Sequence, residues 1–501
     1  MANKLIEHYQ DLDFAHYQYL MSPQTRIFFV GIGGISMSGL AELAQDQGLV
    51  VAGSDRARGY RIKDLERRGI KIYCPQAAEN IEAFKPQAVV YTAAIAPDNP
   101  ELVKARNLGL PCLERSKWLG LVNRTYPQVI NVAGTNGKST TTAMCSYILL
   151  DAGLDPTIHL GAELDRLNST VHTGRGDLMV SEACEFNLSF YAFYSTITAI
   201  LNLGHDHVDI FPQMEDVLEA FAGYILRQAE GTKLVLPSFD PYIPQLLDLV
   251  EAQKPGWLDQ LDLYYFGYPE DKPCPDLAIR HLSYEAGLPI FELAYQGEPV
   301  GSFRLAIPGR FNVENAAAAI LLCKLAGASF ETASKSLANF KGAEGRFTLA
   351  GHYQGALLVN DYAHHPDSIK ATLAAAEEIP HERLFACFQP ITYSRAKGLF
   401  PEFVEALKDQ AHPILLEVFD DREKDRSFSS AHIAEEINKQ GGSALFFASK
   451  EALEAYLRDT LAKGDLVILM GQDIRQVGDS LANRQDHFHQ HVGLADGKIQ
   501  P

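Results

Sequence analysis

Asn131-Val132-Ala133-Gly134-Thr135-Asn136-Gly137-Lys138-Ser139-Thr140-Thr141-Thr142 is the stretch on which the fold of this chain turns. Val129 to Val132 are mostly apolar and read as the end of a buried strand. Thr140 to Leu150, dominated by Ala, Met, Ile and Leu, reads as a helix. Strand, glycine turn and helix in that order make a phosphate cradle, because the backbone N–H groups of the turn converge and the helix N-terminus carries partial positive charge. Lys138 is placed to pair with phosphate oxygens and the Ser139 hydroxyl to complete a magnesium shell, which points to a nucleoside triphosphate with Mg2+. Val132 stands where the full pattern G-x-x-x-x-G-K-[ST] has its first glycine, so only the shorter Gly134-Thr135-x-Gly137-Lys138-Ser139 is present. The alternative is a chance Gly-Lys-Ser at a helix start, which the flanking strand and helix disfavour.

Two polar clusters follow this loop. Asp177 to Ser181 reads as a strand delivering Glu182-Ala183-Cys184-Glu185, and Ile197 to Leu201 as one delivering Asn202-Leu203-Gly204-His205-Asp206-His207-Val208-Asp209. Ligands of a parallel sheet sit at the carboxyl ends of its strands, so Glu182 and His207 are expected to share a crevice with Lys138 and to organise magnesium. Helix capping and ordinary hydrogen bonds use the same residue types. Zinc is the weaker choice for His205, His207 and Asp209, which lack a thiolate.

Ahead of the loop, Arg26 to Val30 followed by Gly31-Ile32-Gly33-Gly34 opens a βαβ unit whose second strand ends at Gly53-Ser54-Asp55. Ser36 occupies the third glycine of the dinucleotide fingerprint, so a nucleotide other than NAD is favoured, with a purely structural turn as the alternative. Strands at 70–73 and 88–92 continue the alternation to a boundary near Arg124. The stretch 257–301, with Pro269, Pro273, Pro275 and Gly287, reads as irregular. Asn312 and Asn315 lie three apart at the start of an Ala-rich helix over 316–325, where both amides could face one base or ribose, or cap the helix. Phe340 to Phe347 reads as a linker. Beyond it, apolar strands at 356–359, 384–388 and 466–470 each end in a polar loop, which predicts another doubly wound sheet.

The totals agree with several soluble α/β domains. A chain of 501 residues exceeds a comfortable single core, and 47% hydrophobic with 21% charged residues is ordinary globular composition. The first twenty residues hold no continuous apolar run and no later segment is apolar enough to span a bilayer, so a cytoplasmic location is expected. Seven scattered cysteines without a C-x-x-C pair argue against a disulfide framework or a zinc ribbon. A net charge of −19 disfavours nucleic acid and anionic membranes as partners and leaves small-molecule substrates.

Taken in order, the phosphate loop, Glu182, His207, the Asn pair, Arg346 and Asp361-Tyr362-Ala363-His364-His365-Pro366 resemble the Mur ligases. Phe29-Val30-Gly31-Ile32-Gly33-Gly34, Tyr91-Thr92-Ala93-Ala94-Ile95 and Phe388-Gln389-Pro390 with Tyr393-Ser394-Arg395 strengthen the likeness, which covers nearly the whole chain. The resemblance implies an α/β fold of three domains, each with a mostly parallel sheet. These are a Rossmann-like UDP-substrate domain over 1–125, a P-loop ATPase domain over 126–343 and a Rossmann-like ligase domain over 344–501.

The implied activity is an ATP- and Mg2+-dependent ligation of an amino acid, most simply L-alanine, to the carboxylate of UDP-N-acetylmuramate through an acyl phosphate, in peptidoglycan precursor synthesis. A paralogue with another acceptor, or a catalytically silent nucleotide-binding homologue, is the alternative. Among the implied roles, Lys138, Glu182, His207 and Arg346 are catalytic, and Ser139, Glu182 and His207 hold the metal. Gly134, Thr135, Asn136, Gly137, Lys138, Ser139, Thr140, Asn312, Asn315, Arg346 and Asp361 would bind ATP. Gly31, Ile32, Gly33, Gly34, Ser54, Asp55 and Thr92 would bind the UDP substrate, and Tyr362, His364, His365 and Arg395 the amino acid, in a monomer or homodimer. The chain departs from the family pattern at Asn136, Ser139, Phe311, Gly345, where the first of two arginines is expected, Ile391, where a histidine is expected, and the shortened Gly471-Gln472-Asp473. Loss of that histidine removes a polar partner from the acceptor pocket.

Overall fold

The structure, a computed structural model, describes residues 6, 9–164, 166–167, 169–206, 210–285, 287–419 and 426–482. Three sheets organise them. The first contains β1 (Arg26–Val30), β2 (Val50–Ser54), β3 (Lys71–Tyr73), β4 (Ala88–Tyr91) and β5 (Cys112–Glu114) in the order β3-β2-β1-β4-β5, all parallel. Ile27, Phe28, Phe29 and Val30 are fully buried, as expected of a central strand covered on both faces. The strand order reverses beside β1, which puts the glycine turn at a topological switch point.

The second sheet has ten strands: β6 (Gln128–Ala133), β7 (Thr157–Leu164), β8 (Ser169–His172), β9 (Leu178–Glu182), β10 (Ile197–Ile200), β11 (Lys233–Pro237), β12 (Asp262–Gly267), β13 (Leu277–Glu285), β14 (Leu288–Tyr295) and β15 (Glu298–Arg304). Their order is β15-β14-β13-β12-β11-β10-β6-β9-β7-β8, so β6 lies between β10 and β9, parallel to both. The stretch read as irregular is in fact four strands. Its prolines 269, 273 and 275 fall in the connection between β12 and β13 and leave the strands themselves intact.

The third sheet holds β16 (Thr348–Tyr353), β17 (Ala356–Asp361), β18 (Leu384–Phe388), β19 (His412–Leu416), β20 (Leu445–Phe447) and β21 (Leu466–Met470). The order β16-β17-β21-β18-β19-β20 makes the three strands read from the sequence immediate neighbours, and only β16 runs antiparallel.

The residues gather into two compact units. One comprises Met1–Leu282, Phe291–Arg304 and Val313–Ala343; the other comprises Ser283–Ile290, Leu305–Asn312 and Glu344–Pro501. One apolar core runs through both sheets of the first unit, from Leu20, Ile27 and Trp118 to Phe190, Tyr224 and Leu246, and another forms around Phe28, Phe84, Val89 and Leu102. The second unit has a core of its own around Leu358, Phe385, Leu457 and Leu469. The segment read as a linker is packed: Phe340, Ala343 and Phe347 are buried. The helix expected from 316 begins at Arg310, so Asn312 and Asn315 lie inside its first turns.

Candidate functional site

β6 delivers its chain directly into the loop 134–137, and the helix Lys138–Asp151 departs from it. Gly134 (φ +131°) and Gly137 (φ +86°) take backbone conformations that side chains oppose, and a Cβ at Gly134 would lie 2.9 Å from the Leu201 nitrogen. The loop is tied to the end of β10. Asn136 N donates to Asn202 Oδ1 (2.8 Å), Asn202 Nδ2 returns a bond to Asn136 O (3.0 Å), and Thr135 N donates to Asn202 O (3.1 Å). Asp240 accepts from Leu203 N (2.7 Å) and Tyr242 N (2.9 Å) and so fixes the 201–204 backbone from behind. Asp240, and the supporting role of Asn202, escape the sequence reading because motif spacing marks the ligand's side of a loop, not its support.

Lys138 donates to Gly134 O (2.5 Å), Thr135 O (3.0 Å) and both oxygens of Glu185 (2.9 and 3.1 Å). Burial works against its charge, yet the Glu185 carboxylate, with Cys184 and Asp206, outweighs burial and holds the ammonium above its ordinary range. Burial, assisted by Glu185, pushes the Cys184 thiol up to about 11. Ser139 Oγ donates to Glu182 Oε2 (3.0 Å), and Gly161 N on β7 donates to Glu182 Oε1 (2.7 Å). A hydroxyl and a carboxylate oxygen side by side are the hard donors that Mg2+ takes when phosphates and waters complete its shell. His205 faces Phe211 O through Nε2 (2.8 Å), and His207 lies outside the described residues.

Asn315 packs against the loop, where a Cβ at Gly137 would collide with its Oδ1. Asn312 is buried and donates its amide to Pro308 O (2.7 Å), the carbonyl four residues back and just ahead of the helix. Asn315 thus lies at the phosphate loop, while Asn312 holds the turn just ahead of the helix.

The same unit carries the first glycine turn. Gly31 N and Ile32 N donate to Ser54 O (2.8 and 3.0 Å), and Gly33 N donates to Asp55 Oδ2 (2.8 Å), so Asp55 braces the turn that it was expected to complement. Ser54 is fully buried and gives its hydroxyl to buried Glu101. Thr92 lies against Gly31. A cavity of about 400 Å3, lined by Arg56, Pro75, Gln76, Ala96, Asp98, Asn99 and Pro100, opens beyond the carboxyl ends of β2, β3 and β4. The helix Ile35–Asp46, which leaves the turn, packs on β7 and β8: Ser36 Oγ is 3.0 Å from His159 Nε2, and Arg115 Nη1 donates to the same hydroxyl (3.2 Å). Burial first, then Arg115, push the His159 imidazole down to about 3.

In the second unit β17 ends on Asp361, whose carboxyl accepts from Ala363 N (2.5 Å) and Phe347 N (2.7 Å). Burial raises its pKa against Arg346, those two amides and Arg475. The Arg346 guanidinium lies 4.6 Å from the Tyr362 ring centroid, and His364 meets Tyr362 edge-on at 4.9 Å. His365 is buried and caps the helix Pro366–Glu377 by accepting from Asp367 N. Arg395 lies on the short helix Tyr393–Gly398, which follows Thr392 at φ +65°.

Three family models match in succession: the Mur ligase family catalytic domain over residues 26–126, the Mur ligase middle domain over 132–323 and the Mur ligase glutamate ligase domain over 345–472. The UDP-N-acetylmuramate–L-alanine ligase of Acetivibrio thermocellus is 38% identical over 90% of this chain and 94% of its own length. That of Caldanaerobacter subterraneus subsp. tengcongensis is 37% identical over 91% and 96%. Among solved structures, the UDP-N-acetylmuramate-alanine ligase of Thermotoga maritima superposes with a TM-score of 0.74 at 26% identity, over 92% of this chain and 98% of that one.

Proposed function

The chain belongs to the Mur ligase family, and on that premise we propose that it joins L-alanine to the carboxylate of UDP-N-acetylmuramate at the expense of ATP. The observation that carries this reading is the phosphate loop with its completed surroundings: Lys138 bonded to Glu185, and Ser139 bonded to a Glu182 fixed from two sides. Lys138 would exchange its Glu185 contact for phosphate oxygens. Ser139 and Glu182 would hold Mg2+, which neutralises phosphate charge during transfer. The Gly31–Gly34 turn and the cavity beside Arg56 would receive the UDP moiety, and Arg346 would face the transferred phosphate. Tyr362, His364 and Arg395 would meet the amino acid, Arg395 offering a fork of donors matched to a carboxylate. With carboxylate, nucleotide and amine each held by separate groups, the protein's contribution is positioning and charge neutralisation.

No helix among the described residues is long and apolar enough to cross a membrane. The deciding experiment is ADP release from the purified chain with ATP, Mg2+ and UDP-N-acetylmuramate, across the common amino acids and their D-forms. Release with L-alanine alone is expected. Release with another amino acid moves the acceptor specificity to that residue, which Ile391 makes the specific alternative, and silence across the panel sinks the ligase reading.

A further inference from the structure

Gly345 and Arg475 are 130 positions apart and occupy one another's space. A Cβ placed on Gly345 would overlap Arg475 Nη1 and lie 3.0 Å from Cζ, and the backbone there stands at φ +67°, in the region that favours glycine. The Gly345 carbonyl accepts from Tyr362 N (2.7 Å), which fixes that backbone against the strand end carrying Asp361. The Arg475 guanidinium is thereby lodged where a side chain at 345 would otherwise begin.

Its neighbours give the lodging a chemical sense. Arg346 and Arg475 share the ring of Tyr362, at 4.6 and 5.6 Å from its centroid. Both are half-buried, and among the described residues neither pairs with a carboxylate within 4 Å. Arg475 spends Nε on Gln472 O (3.1 Å). Asp361, the carboxyl that feels both of them, already accepts two backbone amides. Burial favours its uncharged form. Two guanidinium groups with donors to spare stand over one ring beside a carboxyl whose oxygens are taken, which suits an added anion, and planar guanidinium forks match phosphate best.

We propose that Arg475 is the second guanidinium of an anion site built with Arg346 on the Tyr362 ring, fitted to a phosphate group, and that it supplies the charge which position 345 cannot. Gly345 is then the space that lets a distant arginine in, not a loss. That the phosphate is the terminal one of ATP rests on the ligase reading above.

The test uses the full chain with Arg475→Gln, which keeps most of the volume and removes the charge, and with Arg475→Lys, which keeps the charge. Dissociation constants for ATP and for ADP are measured on each, beside kcat. Arg475→Gln is expected to weaken ATP about tenfold and leave ADP within about twofold, since a charge-assisted contact to one phosphate is worth about 1.4 kcal/mol or more. kcat is expected to fall about a hundredfold. Arg475→Lys should keep most of the ATP preference. Equal weakening of ATP and ADP, or no change in either, overturns the proposal and leaves Arg475 a packing residue. A wild type that binds ATP over ADP but releases no ADP would sink the ligase reading and still allow the Arg475 comparison to be decided.

Discussion

Lys138 and Glu185 form a nearly closed buried pair, the lysine side chain 14% exposed and the glutamate 4%. Removing one partner of such a pair strands the other charge in a poor solvent. Glu185→Gln is therefore expected to cost about 3 kcal/mol of stability. ATP should restore part of it by offering phosphate oxygens to the ammonium. Lys138→Met/Glu185→Gln should cost less than the sum of the two changes. Urea unfolding with and without ATP measures all three quantities; a Glu185→Gln protein as stable as wild type would mean that the loop carbonyls alone satisfy Lys138. His159 makes the opposite kind of statement. Its folded pKa is depressed to about 3 by burial and then by Arg115, well below its ordinary value. Below about pH 6.5 the unfolded chain takes up a proton that the folded chain refuses. The stability that His159 contributes is complete above that pH and drains away as pH falls towards 3, by about 1.4 kcal/mol per pH unit. Between about pH 5 and about pH 4, wild type should lose about 1.4 kcal/mol more than His159→Leu. Equal acid sensitivity in the two proteins would place the imidazole in contact with water.

β7 is the element that ties the two glycine turns together. His159 on it touches Ser36 at the start of one helix, and Gly161, two residues on, gives its N–H to Glu182 beside the other. The helix Ile35–Asp46 sits so close to the hairpin that a Cβ at Gly39 would lie 2.5 Å from Val171 Cγ1 and 3.1 Å from Thr170 Oγ1. Helix propensity alone favours Gly39→Ala by about 1 kcal/mol. The stiff Val171 cannot yield, and overpacking costs about 2 kcal/mol, so the substitution should destabilise by about 1 kcal/mol. Adding Val171→Ala should reverse the sign of Gly39→Ala in the double variant. A stabilised Gly39→Ala single variant would show that the helix can lift without penalty. This contact also marks how far sequence reaches. The strands β1, β6, β9, β10, β17, β18 and β21 and the two glycine turns were legible because apolar period, turn residues and polar strand ends are local signals. The roles of Glu185 and Asn202, the packing of Gly39 on Val171 and the meeting of Gly345 with Arg475 were not, because each depends on partners that folding brings from elsewhere in the chain. Ser54 and Asp55 likewise have partners that spacing does not show: Ser54 gives its hydroxyl to Glu101, and Asp55 accepts from Gly33 N.

At the scale of the whole molecule, covalent order and packing order differ. The second unit is built mainly from residues after 343, yet it also claims Ser283–Ile290 and Leu305–Asn312. Both borrowed segments make close contacts within it. Gly309 sits so near Ala375 that a Cβ would approach it to 3.0 Å, with Phe311 folded over the same spot, and a Cβ at Gly287 would lie 2.8 Å from Glu378 O. A fragment starting at residue 344 keeps the apolar core around Leu358, Phe385 and Leu469 and should fold. It also bares the surface that Phe311 and its neighbours cover on the helix Pro366–Glu377. Burying one large aromatic is worth about 2 kcal/mol. The fragment should therefore melt roughly 5 °C below the matching transition of the intact chain, at about 2 to 4 °C per kcal/mol for a domain of this size. Fusing residues 305–312 ahead of residue 344 through a flexible linker should recover much of the difference, and fusing the same segment with Phe311→Ala should recover less. Equal melting of the bare fragment and the intact chain would show that the borrowed segments are passengers, whereas a graded recovery would make residue 344 a boundary of the chain but not of its stability.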